Sequence, residues 1–148
     1  MTTKLSDHFT LEELTVSNSG ARAGLSNIPS GEHLANLTQT ARRMEEVRAL
    51  LGKPITVHSG YRSPAVNKLV GGSATSAHCS GHAVDFICPG FGSSKTVAEF
   101  LAERLTNYDQ IIEEFGQWVH VGFGPGKRGQ KLTARHVGGK TVYTPGIG

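Results

Sequence analysis

The feature that most constrains this fold is one long helical periodicity set among much shorter alternating segments. After Ser30, the residues Leu34, Leu37, Ala41, Met44, Val47 and Leu51 recur at three- and four-residue steps until Gly52. That spacing predicts one amphipathic helix, capped by Ser30 and stopped by the glycine, with Arg42, Arg43, Glu45, Glu46 and Arg48 on its polar face. Elsewhere the runs are short. Phe9 to Leu14 reads as a brief helix, with Thr10 as N-cap and Glu13 completing a capping box. Pro54 to His58 alternates like a strand, and Ser63 to Val70 suits a short helix with Pro64 in its first turn. Ala83 to Ile87 is strand-like and Ser94 to Leu105 is an amphipathic helix. Asp109 to Phe115 and Trp118 to Phe123 read as two strands around a Gly116 turn, with a further hairpin at Val137-Gly138-Gly139-Lys140. Helices come first and antiparallel pairs later, so the expected class is α+β, with helices packed on a small antiparallel sheet.

A chain of 148 residues, 37% hydrophobic and 18% charged, can bury a core and is expected to form a single domain over 1–148. No apolar run approaches the roughly 20 residues a bilayer span needs, and the first ten residues lack a charged and then apolar leader. These features exclude a membrane protein and predict cytoplasmic synthesis without a secretory signal. The net charge of +3 comes from scattered Lys and Arg rather than a stripe, so no nucleic-acid partner is expected. The expected state is a monomer. Cys79 and Cys88 are too few for a disulfide scaffold and are expected to remain thiols.

Three Asp occur in the chain, and Asp85 falls on a strand that should be buried on at least one face. An ionised carboxylate there needs a cation or a metal, and His78 precedes it by seven residues across a turn containing Gly81. His120 interrupts the apolar strand Trp118-Val119-His120-Val121 and is a third candidate ligand. Two imidazoles and a carboxylate suit zinc with one position left open, the arrangement of a catalytic site. Taken singly, each of these residues also suits an ordinary hydrogen-bonded role, and spacing alone leaves both readings open.

The string Ser76-Ala77-His78-Cys79-Ser80-Gly81-His82-Ala83-Val84-Asp85 has the form S-x-H-x-x-G-x-A-x-D. It resembles the signature of the zinc D-Ala-D-Ala metallopeptidase family, grouped with lysostaphin-type peptidases and the hedgehog signalling domain. Ser59-Gly60-Tyr61-Arg62-Ser63 with Asn67 is similar to a second segment of that family, and Trp118 to Val121 to its second-histidine strand. Phe9 to Glu13 is similar to the start of the phage and bacterial branch. The resemblance implies a hedgehog/D-Ala-D-Ala-peptidase-like fold, His78, Asp85 and His120 as zinc ligands, and Arg62 and Ser76 on the substrate side. A guanidinium fits that place because it holds a carboxylate or carbonyl through parallel hydrogen bonds.

The general base is where the sequence departs from part of the family. Several members carry an acid three positions before the second histidine, and here that position is Gln117. The string Gln110-Ile111-Ile112-Glu113-Glu114-Phe115-Gly116 resembles the branch with an acid before the hairpin turn, aligning Glu114 with it. A three-residue turn, Phe115 to Gln117, puts Glu114 and His120 on one side of the sheet, whereas a two-residue turn puts Glu113 there.

The implied activity is zinc-dependent hydrolysis of an amide in the peptide stem or cross-link of bacterial peptidoglycan, by a phage or prophage lysin-type endopeptidase reaching the wall by another route. The alternatives are a D-Ala-D-Ala carboxypeptidase and a non-catalytic, metal-bearing wall-binding module. A non-haem iron oxygenase also uses two His and a carboxylate, but usually with His and acid one residue apart rather than seven.

Overall fold

The long periodicity folds as α2, Gly31–Leu51, in a computed structural model that describes residues 2–148. Leu37, Ala41, Met44, Val47 and Leu51 are buried and Leu34 is half-buried. Gly52 follows with φ of +67°, the left-handed conformation in which a helix commonly ends. The chain divides into two compact units, one comprising the chain up to Glu45 with Ser59–Val84, the other Glu46–His58 with Asp85–Gly148.

The first unit holds α1, Asn18–Arg22, α3, Pro64–Leu69, and a 3-10 turn at Ala77–Ser80. Its core includes Phe9, Leu14, Leu37, Met44 and Val66. α3 begins as its sequence dictates: the Ser63 hydroxyl accepts the Val66 N–H at 3.2 Å and Pro64 takes the first helical position. The helix expected over Phe9 to Leu14 is absent, although its capping box forms. Thr10 N–H donates to Glu13 Oε1 at 2.8 Å and Glu13 N–H to Thr10 Oγ1 at 3.1 Å. The carbonyls that would carry a helix onward are engaged elsewhere: Tyr61 N–H donates to Leu14 O at 2.8 Å, and the Thr15 hydroxyl to Leu11 O at 2.8 Å. Residues 11–15 therefore make a turn, and the helix in this region is α1, started by the Ser17 hydroxyl accepting from Gly20 N–H.

The sheet, centred on the second unit, has six strands in the order β1-β2-β4-β3-β5-β6. They are β1 Thr56–Ser59, β2 Ala83–Ile87, β3 Gln110–Glu114, β4 Trp118–Gly122, β5 Gln130–Val137 and β6 Lys140–Pro145. The sheet is mixed, which corrects the expectation of an antiparallel one: β3 pairs antiparallel with β4 but parallel with β5. Having reversed at the hairpin, the chain reverses again through 123–129 and so runs beside β3 in the same sense. Arg128 ties that connection down, its Nε and Nη2 donating to the two Asp109 carboxylate oxygens at 2.9 and 2.8 Å. β5 and β6 turn at Gly138 and Gly139, whose φ of +57° and +79° suit a type I′ turn closed by the Val137 and Lys140 pair.

One face of this sheet packs on α4, Ser94–Arg104, which starts at Ser93, whose hydroxyl accepts the Thr96 N–H at 3.2 Å. Val97, Ala98 and Leu101 of α4 are buried, as are Ile111, Val119 and Val121. Truncating a fully buried leucine such as Leu101 to alanine costs about 2–5 kcal/mol, so this face is a principal support of the second unit. No helix among the described residues is long and apolar enough to cross a membrane.

Candidate metal centre and its surroundings

His78 sits in the 3-10 turn at Ala77–Ser80, where the Ser76 hydroxyl caps its N–H at 3.2 Å. Its buried ring places Nδ1 2.7 Å from the Gly60 carbonyl. A carbonyl only accepts, so Nδ1 carries the proton and Nε2 presents a lone pair, the tautomer a metal-ligating imidazole uses. The turn then leaves through Gly81, with φ of +79°, where a Cβ would lie 2.7 Å from the His33 carbonyl oxygen. Conformation and crowding both require glycine at that place in the motif.

Arg62 lies in the same unit. Its backbone N–H donates to the His78 carbonyl at 3.1 Å and its Nη2 reaches the Ser76 hydroxyl at 3.5 Å. The buried Nε of Arg62 has no hydrogen-bond partner among the described residues. The backbone on either side of Arg62 is clamped by Asn27, whose amide donates to the Tyr61 carbonyl at 3.0 Å and whose Oδ1 accepts the Ser63 N–H at 2.7 Å. Sequence reasoning missed Asn27, since an asparagine in a loop carries no spacing signal toward a segment more than 30 residues away. Burial pushes the Cys79 thiol up, opposed by the Arg62 charge, and burial chiefly, then Cys79, pushes the Tyr61 phenol up. Cys79 and Cys88 are both thiols.

In the second unit, Asp85 on β2 and His120 on β4 are buried, with Asp85 Oδ1 and His120 Nδ1 3.0 Å apart. Two donors each about 2.0–2.1 Å from one tetrahedral ion lie roughly 3.3 Å apart, so this pair fits a shared zinc with a small adjustment. The β3–β4 register pairs Glu114 with Trp118 and Ile112 with His120, as a three-residue turn requires. Glu114 therefore shares the His120 side of the sheet, and Trp118 Nε1–H donates to its Oε2 at 2.6 Å. Glu113 points to the opposite face. There its buried carboxylate accepts from Arg135 Nη2 at 2.7 Å, from Gly116 N–H at 2.9 Å and from the Ser94 hydroxyl at 3.3 Å. These three partners give Glu113 a structural role.

The other histidines have ordinary contacts. His8 pairs with Glu45 at 2.6 Å, His33 lies 5.8 Å from the Tyr61 ring, His58 lies edge-on to Trp118, and His136 stacks on Phe115. His82 is half-buried just before β2.

Residues 7–122 match the model of a family described as Peptidase M15. The zinc D-Ala-D-Ala carboxypeptidase of Streptomyces albus G is 33% identical over 125 residues, covering 81% of this chain and 47% of that protein. The chain thus spans about half the length of this curated relative.

Proposed function

This chain belongs to the peptidase M15 family, and on that premise we propose that it is a zinc-dependent peptidase cutting an amide bond in the peptide part of bacterial peptidoglycan. The observation that carries the reading is the buried pair Asp85 and His120, with donor atoms 3.0 Å apart, to which the family resemblance of the His78 motif adds a third zinc ligand. The Gly60 carbonyl fixing the His78 tautomer supports it. When bound, zinc acts as a Lewis acid that polarises a carbonyl and brings the pKa of water toward roughly 7.

The protein groups around it do the remaining work. Glu114 accepts the proton of the attacking water and returns it to the leaving amine. Trp118 Nε1–H donates to Oε2 of that carboxylate and steadies it. Arg62, steadied by Asn27 and beside Ser76, grips the substrate backbone or a terminal carboxylate. The fold around these groups is the hedgehog/D-Ala-D-Ala-peptidase-like one.

Within this class we read the chain as a lysin-type endopeptidase of phage or prophage origin, since an enzyme that opens a wall must cut bonds internal to it. A D-Ala-D-Ala carboxypeptidase is the second reading, favoured by the name of the Streptomyces relative. The test is digestion of purified sacculi of several cross-link types with zinc-loaded enzyme, the fragments identified by mass spectrometry. Cleavage within a stem or cross-link, lost in Glu114→Gln, is the expected result. Release of terminal D-Ala alone replaces the endopeptidase with the carboxypeptidase, and tight binding without cleavage leaves a wall-binding module.

A further inference from the structure

We propose that Tyr143 on β6 binds the substrate, its phenolic O–H donating a hydrogen bond to a peptide carbonyl beside the bond that is cut. This rests on the peptidase reading above and adds a residue to it from outside residues 7–122, the span that matches the family. The register runs in one row across four strands: Trp118 pairs with Glu114, Glu114 with Ala134, and Ala134 with Tyr143. Side chains of directly paired residues stand on one face of a sheet, and His120, two residues beyond Trp118, stands on that face too. Tyr143 is therefore on the side of the sheet that carries the general base and one metal ligand.

Distance agrees with this. Strands lie about 4.8 Å apart, so the Glu114 and Tyr143 backbones are roughly 10 Å apart, within the reach of one bound peptide segment. Between them β5 contributes Ala134, which is fully buried, so a peptide would lie over this row rather than within it. The phenol is 52% exposed, one of the large apolar side chains that the fold leaves toward solvent. Desolvation first, then the charges of Glu114 and Asp85, push its pKa up, so it keeps its proton and remains a donor at neutral and mildly alkaline pH.

The hairpin bearing Tyr143 is fastened to the β3–β4 turn. Phe115 N–H donates to the Ala134 carbonyl at 3.0 Å. The Phe115 ring stacks on His136 with centroids 4.0 Å apart and planes 8° apart, and meets Trp118 edge-on at 5.6 Å. These contacts hold β5 in register with Glu114, and the β5–β6 pairing carries the Tyr143 backbone with it.

The test uses muropeptide dimers released from sacculi by a muramidase. Their hydrolysis is followed with zinc-loaded protein, and their binding by calorimetry on the Glu114→Gln background. Tyr143→Phe should raise KM about 3- to 10-fold with kcat nearly unchanged, the signature of one lost neutral hydrogen bond made equally in ground and transition states. It should weaken binding to Glu114→Gln by a similar factor while leaving Tm and zinc content alone. Val142→Ala, on the opposite face of β6, should change none of these. A Tyr143→Phe variant with wild-type KM and wild-type affinity overturns the proposal. Wild-type protein that binds the dimers but cuts nothing overturns the peptidase reading instead, while the binding arm still decides Tyr143. Protein that neither binds nor cuts them overturns both.

Discussion

Adjacent glutamates on β3 should separate stability from turnover, because the strand sends them to opposite faces with different partners. The perturbation is Glu→Gln at each position. Glu113 is 1% exposed and accepts from three donors: Arg135 and Gly116 at 2.7 and 2.9 Å, and the Ser94 hydroxyl at 3.3 Å. Glutamine of the same size has one acceptor oxygen, so its amide nitrogen must face a donor. With the oxygen kept toward Gly116 and Ser94, the amide meets Arg135. That guanidinium is on a side chain 43% exposed, so water compensates part of its loss. The cost therefore falls near that of an unsatisfied buried polar group, about 1–3 kcal/mol, rather than the 3–5 of a fully buried broken ion pair. For a chain of this length that is about 3–10 °C in Tm.

Glu114→Gln should do the reverse. Its oxygen can still accept the Trp118 indole N–H, now at 2.6 Å, so Tm should stay within about 2 °C. Turnover should fall about 100- to 10,000-fold through loss of the base. Calorimetry and sacculus hydrolysis on both variants form the assay. A Glu113→Gln variant that melts like wild type but hydrolyses nothing would refute the assignment of faces and roles.

Other consequences are equally direct. Purified protein should carry about one zinc per chain by elemental analysis, fall in Tm on chelation and recover on zinc addition, with zinc lost in His78→Ala, Asp85→Ala and His120→Ala. Arg62→Lys keeps the charge but loses the forked donor set, so an endopeptidase should lose similar kcat/KM on free and C-terminally amidated peptides; a loss confined to free-acid substrates would point to a carboxypeptidase. Asp109 is held below the usual carboxylate range mainly by its hydrogen bonds from Arg128. A lowered folded-state pKa stabilises above the unfolded value near 3.9 and is lost as pH falls through the folded one. Asp109→Asn should therefore lower Tm at neutral pH, with the gap to wild type closing below about pH 4 in thermal melts; a gap constant down to pH 2 would remove the ion pair as its source.

Much of the local structure was legible because its causes lie within a few residues of one another. Apolar spacing and a terminal glycine suffice for α2, a serine followed by proline for α3, and Gly138-Gly139 for the last hairpin. The sequence narrowed the β3–β4 turn to two lengths, and the observed pairing of Ile112 with His120 selects the three-residue one, which sets which glutamate shares the histidine's side. The motif around His78 and Asp85 was legible only as a resemblance to a known family; its Gly81 occupies a left-handed, crowded position that little else can take.

What the tertiary structure alone decided are the partners far apart in the chain. The capping box at Thr10 and Glu13 reads as a helix start, yet Tyr61 takes the Leu14 carbonyl and the helix never continues. The Gly60 carbonyl that sets the His78 tautomer, the Asn27 clamp and the Arg135 partner of Glu113 are likewise distant acceptors and donors. So is the parallel pairing of β3 with β5 that carries Tyr143 to the face of Glu114. Spacing encodes which face a side chain takes within its own element. It does not encode which remote backbone group will be near enough to hydrogen-bond, because many donors and acceptors are chemically equivalent and only packing selects among them.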